Sequence, residues 1–393
     1  MQAASTPSTP KPRPTFEGVM YLRALTGIII CGCHAYTYFG KTGFIRASLM
    51  FFIISGFMIA LTAEPISRMG DRAAALDFAR KRLIRIVPLY WLSIAVLTAG
   101  YWASWVEASD SLKELYWNWN PTLTSFVKDM TFIPHKDFRG GPWVWPANIP
   151  AWTLNYEMIF YSLFAALILV GRWKIPTAVA LLCALSLFQY LTKSPDQQPL
   201  YQWYAWLEFA LGLCMFSIWR RYPATHLTPR LAALCVIAGL VIGVSGMLLK
   251  SHFGVSAGCA LLIWGFLFIP GGKHAVLRFL RKVGDASYAI YISHTPVGLA
   301  LAYVLLDRLE IKARVESGEW GLVAVVAAIL WSTAVSVAVG LMVHRYIERP
   351  MVSALLKFRL ANSVLMVSGV LARGLRLRRP LPIASMSQSR PDT

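Results

Sequence analysis

Apolar runs of about 20 residues, the length that crosses a bilayer, recur along this chain. Residues 320–343 contain no charged side chain. In hydrocarbon every backbone amide and carbonyl must be satisfied within the segment, so such runs fold as helices. Ten spans are predicted, at 19–39, 47–63, 86–104, 151–171, 175–192, 201–219, 231–249, 253–270, 286–306 and 320–343. Soluble domains carry about 25% charged residues; this chain carries 15%, is 56% hydrophobic and has a mean hydropathy of +0.53. The expected fold class is all-α, a polytopic transmembrane bundle of about ten helices.

The net charge of +19 would suit nucleic acid, but its distribution argues against that partner. The tails and even-numbered loops hold 26 Lys and Arg, and the opposite loops hold 11. The positive-inside rule then places both termini in the cytoplasm. The basic face is expected to meet lipid headgroups. Residues 1–18 are rich in Pro, Ser and Thr and read as a disordered cytoplasmic tail. The first span is too long for a signal-peptide core and is expected to be retained. Residues 19–350 form the expected membrane domain, and 351–393, with Arg373, Arg376, Arg378 and Arg379, a basic cytoplasmic tail. That tail is too short for a second catalytic domain. The six cysteines all fall in predicted spans, which is no disulfide framework. Cys31-x-Cys33-His34 reads as small packing residues rather than a metal site, because positions one and two apart do not share a helix face. No inverted repeat of the transporter kind is visible.

Ionisable groups inside spans are costly and mark function by default. Arg23 and His34 are 11 residues apart in the first span. That is about three helical turns, so they fall within roughly 20° of each other and about 16 Å apart. Glu157 lies about six residues into the fourth span and His34 about five residues in from the same side. At 1.5 Å per residue both are expected roughly 8–9 Å below the outer boundary. A His and a Glu at one depth suggest an oriented general base; a structural buried pair is the alternative. Glu208 is a further intramembrane acid. His294 lies near mid-membrane in the ninth span, as a helix–helix bond or a pore group. Pro296 frees the carbonyl of Ile292.

Three further segments carry alternatives. Ser55-Gly56 in the second span reads as close helix packing or as a hydroxyl that holds a ligand. Arg82 and Arg85, at i and i+3 before the third span, are positive-inside anchors or a phosphate clamp. The outer loop 105–150 carries Trp105, Tyr116, Trp117, Trp119, Trp143 and Trp145. They suit an interfacial belt or a platform on which sugar rings stack.

In this order the segments resemble the acyltransferase 3 family of bacterial membrane proteins, over about residues 16–352. The carriers are Arg23-x10-His34, Phe51-Phe52-x-x-Ser55-Gly56, Arg82-x-x-Arg85 and Trp152-x-Leu154-x-x-Glu157-x-x-Phe160-Tyr161, followed by Gly284-x-x-Ser287-Tyr288, Tyr291-x-x-His294 and Glu348-Arg349-Pro350. Thr153 stands where the family usually has Ser and keeps a hydroxyl. The chain looks most like the exopolysaccharide O-acetyltransferase members. The resemblance implies transfer of an acyl group, usually acetyl from acetyl-CoA, to a hydroxyl of a sugar in a surface or exported polysaccharide or its lipid-linked precursor. The enzyme would work in the bacterial inner membrane as a multi-pass protein, with no bound cofactor and no metal. Arg23, Arg82 and Arg85 are then the donor-binding candidates. His34 is a base or a transient acyl carrier, hydrogen-bonded to Glu157, which fixes its tautomer. Ser55, Trp152, Tyr161, Tyr288 and His294 are acceptor or supporting residues. Expected partners are acyl-CoA, a carbohydrate acceptor and membrane lipids, with a polysaccharide-synthesis complex or a homo-oligomer left open. A transporter or flippase of a polysaccharide precursor is the competing function, because intramembrane charges and a Pro-kinked helix suit it too.

Overall fold

A computed structural model describes residues 16–39, 47–106, 122–133, 146–192, 203–222 and 228–358. Of the two expected tails, 1–18 and 351–393, residues 1–15 and 359–393 lie outside the described residues, while Glu17 and Gly18 already belong to the first helix and 351–358 are helical. So do Tyr116, Trp117, Trp119, Trp143 and Trp145 of the outer loop, and the side chain of Trp105. Among the described residues the regular structure is helical throughout, with no strand. Six segments are long and apolar enough to cross a membrane: Glu17–Ala35, Arg72–Ala103, Ile149–Thr192, Pro229–Leu248, Ser287–Arg308 and one that begins at Leu322. Ser48–Ala63 and His252–Phe266 are apolar but shorter.

In chain order the helices are α1 (Glu17–Ala35), α2 (Ser48–Ala63), α3 (Arg72–Val106), α4 (Leu123–Met130), α5 (Trp152–Leu167), α6 (Lys174–Thr192) and α7 (Trp203–Arg221). There follow α8 (Pro229–Leu248), α9 (His252–Phe266), α10 (Ala275–Asp285), α11 (Ser287–Ser293), α12 (Ala300–Arg308), α13 (Ile311–Glu316) and α14 (Leu322–Val343). The helical residues 349–358 belong to a second unit, separate from the one that ends at Glu348.

Burial separates the helices into rim and centre. Only 17% of the most apolar stretch of α8 is buried, and Leu234, Ile237, Leu240, Val241 and Val244 face outward. In Ser287–Arg308 the share is 78%, so this helix is central. Helix α1 packs on it through Ala24, Cys31, Ala286 and Ile290, with Val283 and Val337 from the flanking helices.

Lipid tails are as apolar as Leu, so helices in membranes associate by close van der Waals packing and favour small residues where they cross. Helices α2 and α7 cross at Gly56 and Gly212. A methyl group at Gly56 would fall 2.3 Å from the carbonyl oxygen of Phe209, and one at Gly212 would fall 2.1 Å from that of Ile53.

The central helix is not a regular α-helix. Proline lacks an amide hydrogen and cannot bond back to the residue four before it. Pro296 thus leaves the Ile292 carbonyl unpaired within the helix, and residues 294–299 widen into a π-helical turn. The Asn148 side chain takes up that carbonyl, with Nδ2 donating to Ile292 O at 2.9 Å. Asn148 is fully buried and lies just before the 3-10 turn Ile149–Ala151 that opens α5. The start of α5 therefore sits deep in the protein, level with Ile292.

Candidate active site

Ser287, Tyr291 and His294 stand at i, i+4 and i+7 on the central helix, on one face. The two polar residues of α1 meet this line. Arg23 donates from Nη2 to Ser287 Oγ at 2.7 Å. His34, three turns further along α1, places Nδ1 2.9 Å from His294 Nε2. The same-face spacing of Arg23 and His34 is thus realised as two contacts on one partner helix.

The Arg23 end opens into a cavity of about 520 Å³. Its polar wall includes Arg23, Arg82, Arg85, Ser55, Glu157 and Tyr161, joined by Ser287, Tyr288 and Tyr291 from the central helix. Its apolar wall includes Phe51, Phe52, Ile54 and Met58. Arg82 is held on three sides. Its Nη2 donates to Thr62 Oγ1 at 3.0 Å, and its guanidinium lies 5.3 Å from the Phe78 ring centroid and 5.4 Å from that of Tyr161. Arg85, one turn on, is exposed into the cavity. Ser55 and Tyr161 lie 3.1 Å apart, oxygen to oxygen. Glu157 lines the same wall as these two hydroxyls and the two arginines. Tyr288 donates to the Ile86 carbonyl at 2.7 Å, beside Pro88 in α3. At the mouth, Lys81 pairs with Asp77 at 2.6 Å.

Tyr291 belongs to the same wall. Its hydroxyl lies 2.8 Å from Thr153 Oγ1 and donates to the Pro150 carbonyl. Its ring lies 6.0 Å from that of His294. The two histidines are not among the cavity-lining residues, and His294 follows Tyr291 by three residues on the central helix.

Two expectations are corrected by this geometry. The imidazole partner of His34 is His294, and Glu157 belongs to the arginine cavity instead. The reason is the start of α5: Asn148 is level with Ile292, and Glu157 lies nine residues, about two and a half turns, further along. Trp152, an acceptor or supporting candidate, packs edge-on against Phe52 of the cavity wall at 5.9 Å and against Tyr156 at 5.9 Å, and is not itself in the lining. The two readings of Ser55-Gly56 divide between neighbours: Gly56 packs on α7 while Ser55 faces the cavity. Glu208 is enclosed elsewhere, within 3.2 Å of His252 Nε2 and bonded by the Ser256 hydroxyl. Sequence reasoning gave no role to Tyr291, Thr153 or Asn148. The i, i+4, i+7 polar line that includes Tyr291 was a readable signal. Nothing in the sequence tied Asn148 to the carbonyl freed by Pro296.

The sequence pattern of the acyltransferase domain matches residues 16–341. The chain belongs to the acyltransferase 3 family. It is 30% identical, over 306 residues, to the exopolysaccharide production protein ExoZ of Rhizobium meliloti (strain 1021), covering 76% of this chain and 88% of that protein. It is 24% identical over 333 residues to the acyltransferase MdmB of Streptomyces mycarofaciens, covering 77% of this chain and 79% of that one. No solved structure matches the chain. Membership of the family and the apolar helices together make this chain a membrane acyltransferase.

Proposed function

We propose that this acyltransferase moves acetyl from acetyl-CoA to a sugar hydroxyl of a surface or exported polysaccharide or its lipid-linked precursor. The carrying observation is the charge of the cavity. Arg23, Lys81, Arg82 and Arg85 face only Asp77 and Glu157, so the wall has two cations in excess. A half-buried excess of guanidinium is a site for phosphate, because the fork of donors matches its oxygens. CoA brings several phosphates, and its acetyl thioester would point toward Tyr291. The relationship to an exopolysaccharide production protein supports a polysaccharide acceptor.

In the reaction His34 Nε2 takes the proton of the acceptor hydroxyl, and the oxygen forms a bond to the thioester carbonyl. The C–S bond breaks as the tetrahedral intermediate collapses, and the CoA thiolate recovers the proton from the imidazolium. Tyr291, between cavity and histidines, is placed to move aside or to donate to the developing oxyanion. The topology proposed alongside has ten spans in the bacterial inner membrane, with both termini and the arginine cavity on the cytoplasmic side, where CoA resides.

The test uses purified protein in detergent, acetyl-CoA, and polysaccharide from cells that lack this protein. Free thiol and acetylated sugar should appear together. Folded His34→Ala should lose transfer by about 10²–10⁴-fold, the usual contribution of a general base. Near wild-type transfer by that variant would falsify the assignment. Accumulation of the precursor in vesicles without CoA release would mark a carrier instead.

A further inference from the structure

We propose that His294 is a positioning residue that sets the working tautomer of His34, through a hydrogen-bonded line from the Tyr291 carbonyl through both rings. The proposal rests on the reading of His34 as the base. A backbone carbonyl only accepts, so His294 Nδ1, 2.7 Å from Tyr291 O, carries a proton. A neutral imidazole protonated at Nδ1 presents a lone pair at Nε2. That atom lies 2.9 Å from His34 Nδ1, which must then donate. Neutral His34 is thereby left with its own lone pair on Nε2, the form a general base needs. The opposite tautomer of His34 would set two lone pairs against each other across the same 2.9 Å. The hydrogen bond made by one ring nitrogen thus selects the chemistry of the other.

The surrounding structure holds both rings in place. His294 is fully buried at the start of the π-helical turn, and such turns frequently occur at functional sites. The turn is braced by Asn148, which bonds to Ile292 O and to Ser93 Oγ. Tyr291, whose carbonyl anchors the line, is itself fixed by Thr153 and Pro150. On the other side Tyr303 donates to the His34 carbonyl at 3.3 Å and steadies the last turn of α1. A neutral orienting ring also suits a membrane interior. A proton gained by His34 is shared along the hydrogen bond with a second imidazole, and no separate carboxylate has to be desolvated nearby.

Two substitutions test the line. His294→Phe keeps the ring and removes the acceptor; His294→Gln keeps an acceptor oxygen. With acetyl-CoA and polysaccharide from cells lacking the protein, His294→Phe should lower kcat by about 10²-fold or more, with KM for acetyl-CoA within about twofold. His294→Gln should retain roughly a tenth of wild-type kcat. Nitrogen NMR of ring-labelled histidine gives a readout that packing alone would not move. His34, assigned by its loss in His34→Gln, should be protonated at Nδ1 in the wild type and become a tautomer mixture in His294→Phe. The proposal is overturned if His294→Phe keeps wild-type kcat within about threefold, or if His34 in the folded variant keeps the Nδ1–H form. Activity in His34→Ala would sink the base reading instead, while the NMR comparison would still judge the line between the rings.

Discussion

At the scale of single residues, the two arginines ahead of the third span have different jobs in spite of their shared face. Arg82 is committed to Thr62 and to two aromatic faces. Arg85 stands exposed in the cavity and is the better placed to grip an incoming phosphate. Arg85→Ala should therefore weaken CoA binding by the value of a charge-assisted hydrogen bond, on the order of 1.5–3 kcal/mol, or about 10- to 150-fold. Its thermal stability should stay near wild type. Arg82→Ala should lose both affinity and stability, because its removal strips the packing around Phe78 and Tyr161. Calorimetric titration with CoA beside a melting curve separates the two, and unchanged affinity in Arg85→Ala would return it to the role of a topology anchor. Residue identities at this scale were well legible in the sequence: Arg23, Ser55, Arg82, Arg85, Glu157, Tyr161 and Tyr288 all line one cavity. Pairings were less so. Spacing within a helix is fixed by its 3.6-residue turn, which is why Arg23 and His34 were rightly placed on one face. Depth between two helices depends on where each begins, and that is set by tertiary contacts such as Asn148 with Ile292.

At the scale of elements, the same contrast separates straight helices from broken ones. Helices α8 and α9 were legible as apolar runs and occur within a few residues of their predicted spans. The fourth and fifth spans meet at Gly171, whose φ of 61° ends one helical run and starts another; a glycine carries this conformation without steric cost. The π-helical turn was half legible. Pro296 announced a defect, but the widening of the turn and the donor that compensates it come from a neighbouring segment. The crossing of α2 and α7 gives the element-scale prediction. A methyl at Gly212 meets the Ile53 carbonyl oxygen at 2.1 Å and the Phe57 nitrogen at 2.8 Å, both backbone atoms that no rotamer change can move. Gly212→Ala should force the helices apart at a cost of about 1–3 kcal/mol and lower the melting temperature. Because α2 carries Ser55 into the cavity, the KM for acetyl-CoA should rise as well. A variant that melts like wild type would show that the crossing has slack the packing does not suggest.

At the scale of the whole membrane domain, the histidine pair lies outside the charged cavity, with Tyr291 in the cavity wall three residues before His294. The cavity mouth is built by Asp77, Lys81, Arg82 and Arg85, all from the basic stretch that the charge asymmetry assigns to the cytoplasm. His34 lies at the far end of α1, three turns past Arg23. On the proposed reading, a donor that enters among the arginines brings its acetyl group to the base along the central helix, past Tyr291. Composition alone made the membrane legible, and charge bias suggested a direction; neither revealed that the histidine pair lies outside the cavity wall. The consequence is testable on sealed membranes. Acetyl-CoA carries phosphate charges that keep it from crossing a bilayer unaided. Inverted vesicles from producing cells, given labelled acetyl-CoA outside, should incorporate label into polysaccharide. Right-side-out vesicles with the same content should not, until detergent opens them. Tyr291→Ala should leave this sidedness intact but permit acceptor-independent hydrolysis of acetyl-CoA, since the ring that stands beside His294 no longer shields the thioester from water near His34. Equal labelling in both vesicle orientations would overturn the cytoplasmic placement of the arginine cavity. Sidedness with no added hydrolysis in Tyr291→Ala would keep that placement and remove Tyr291 as the barrier.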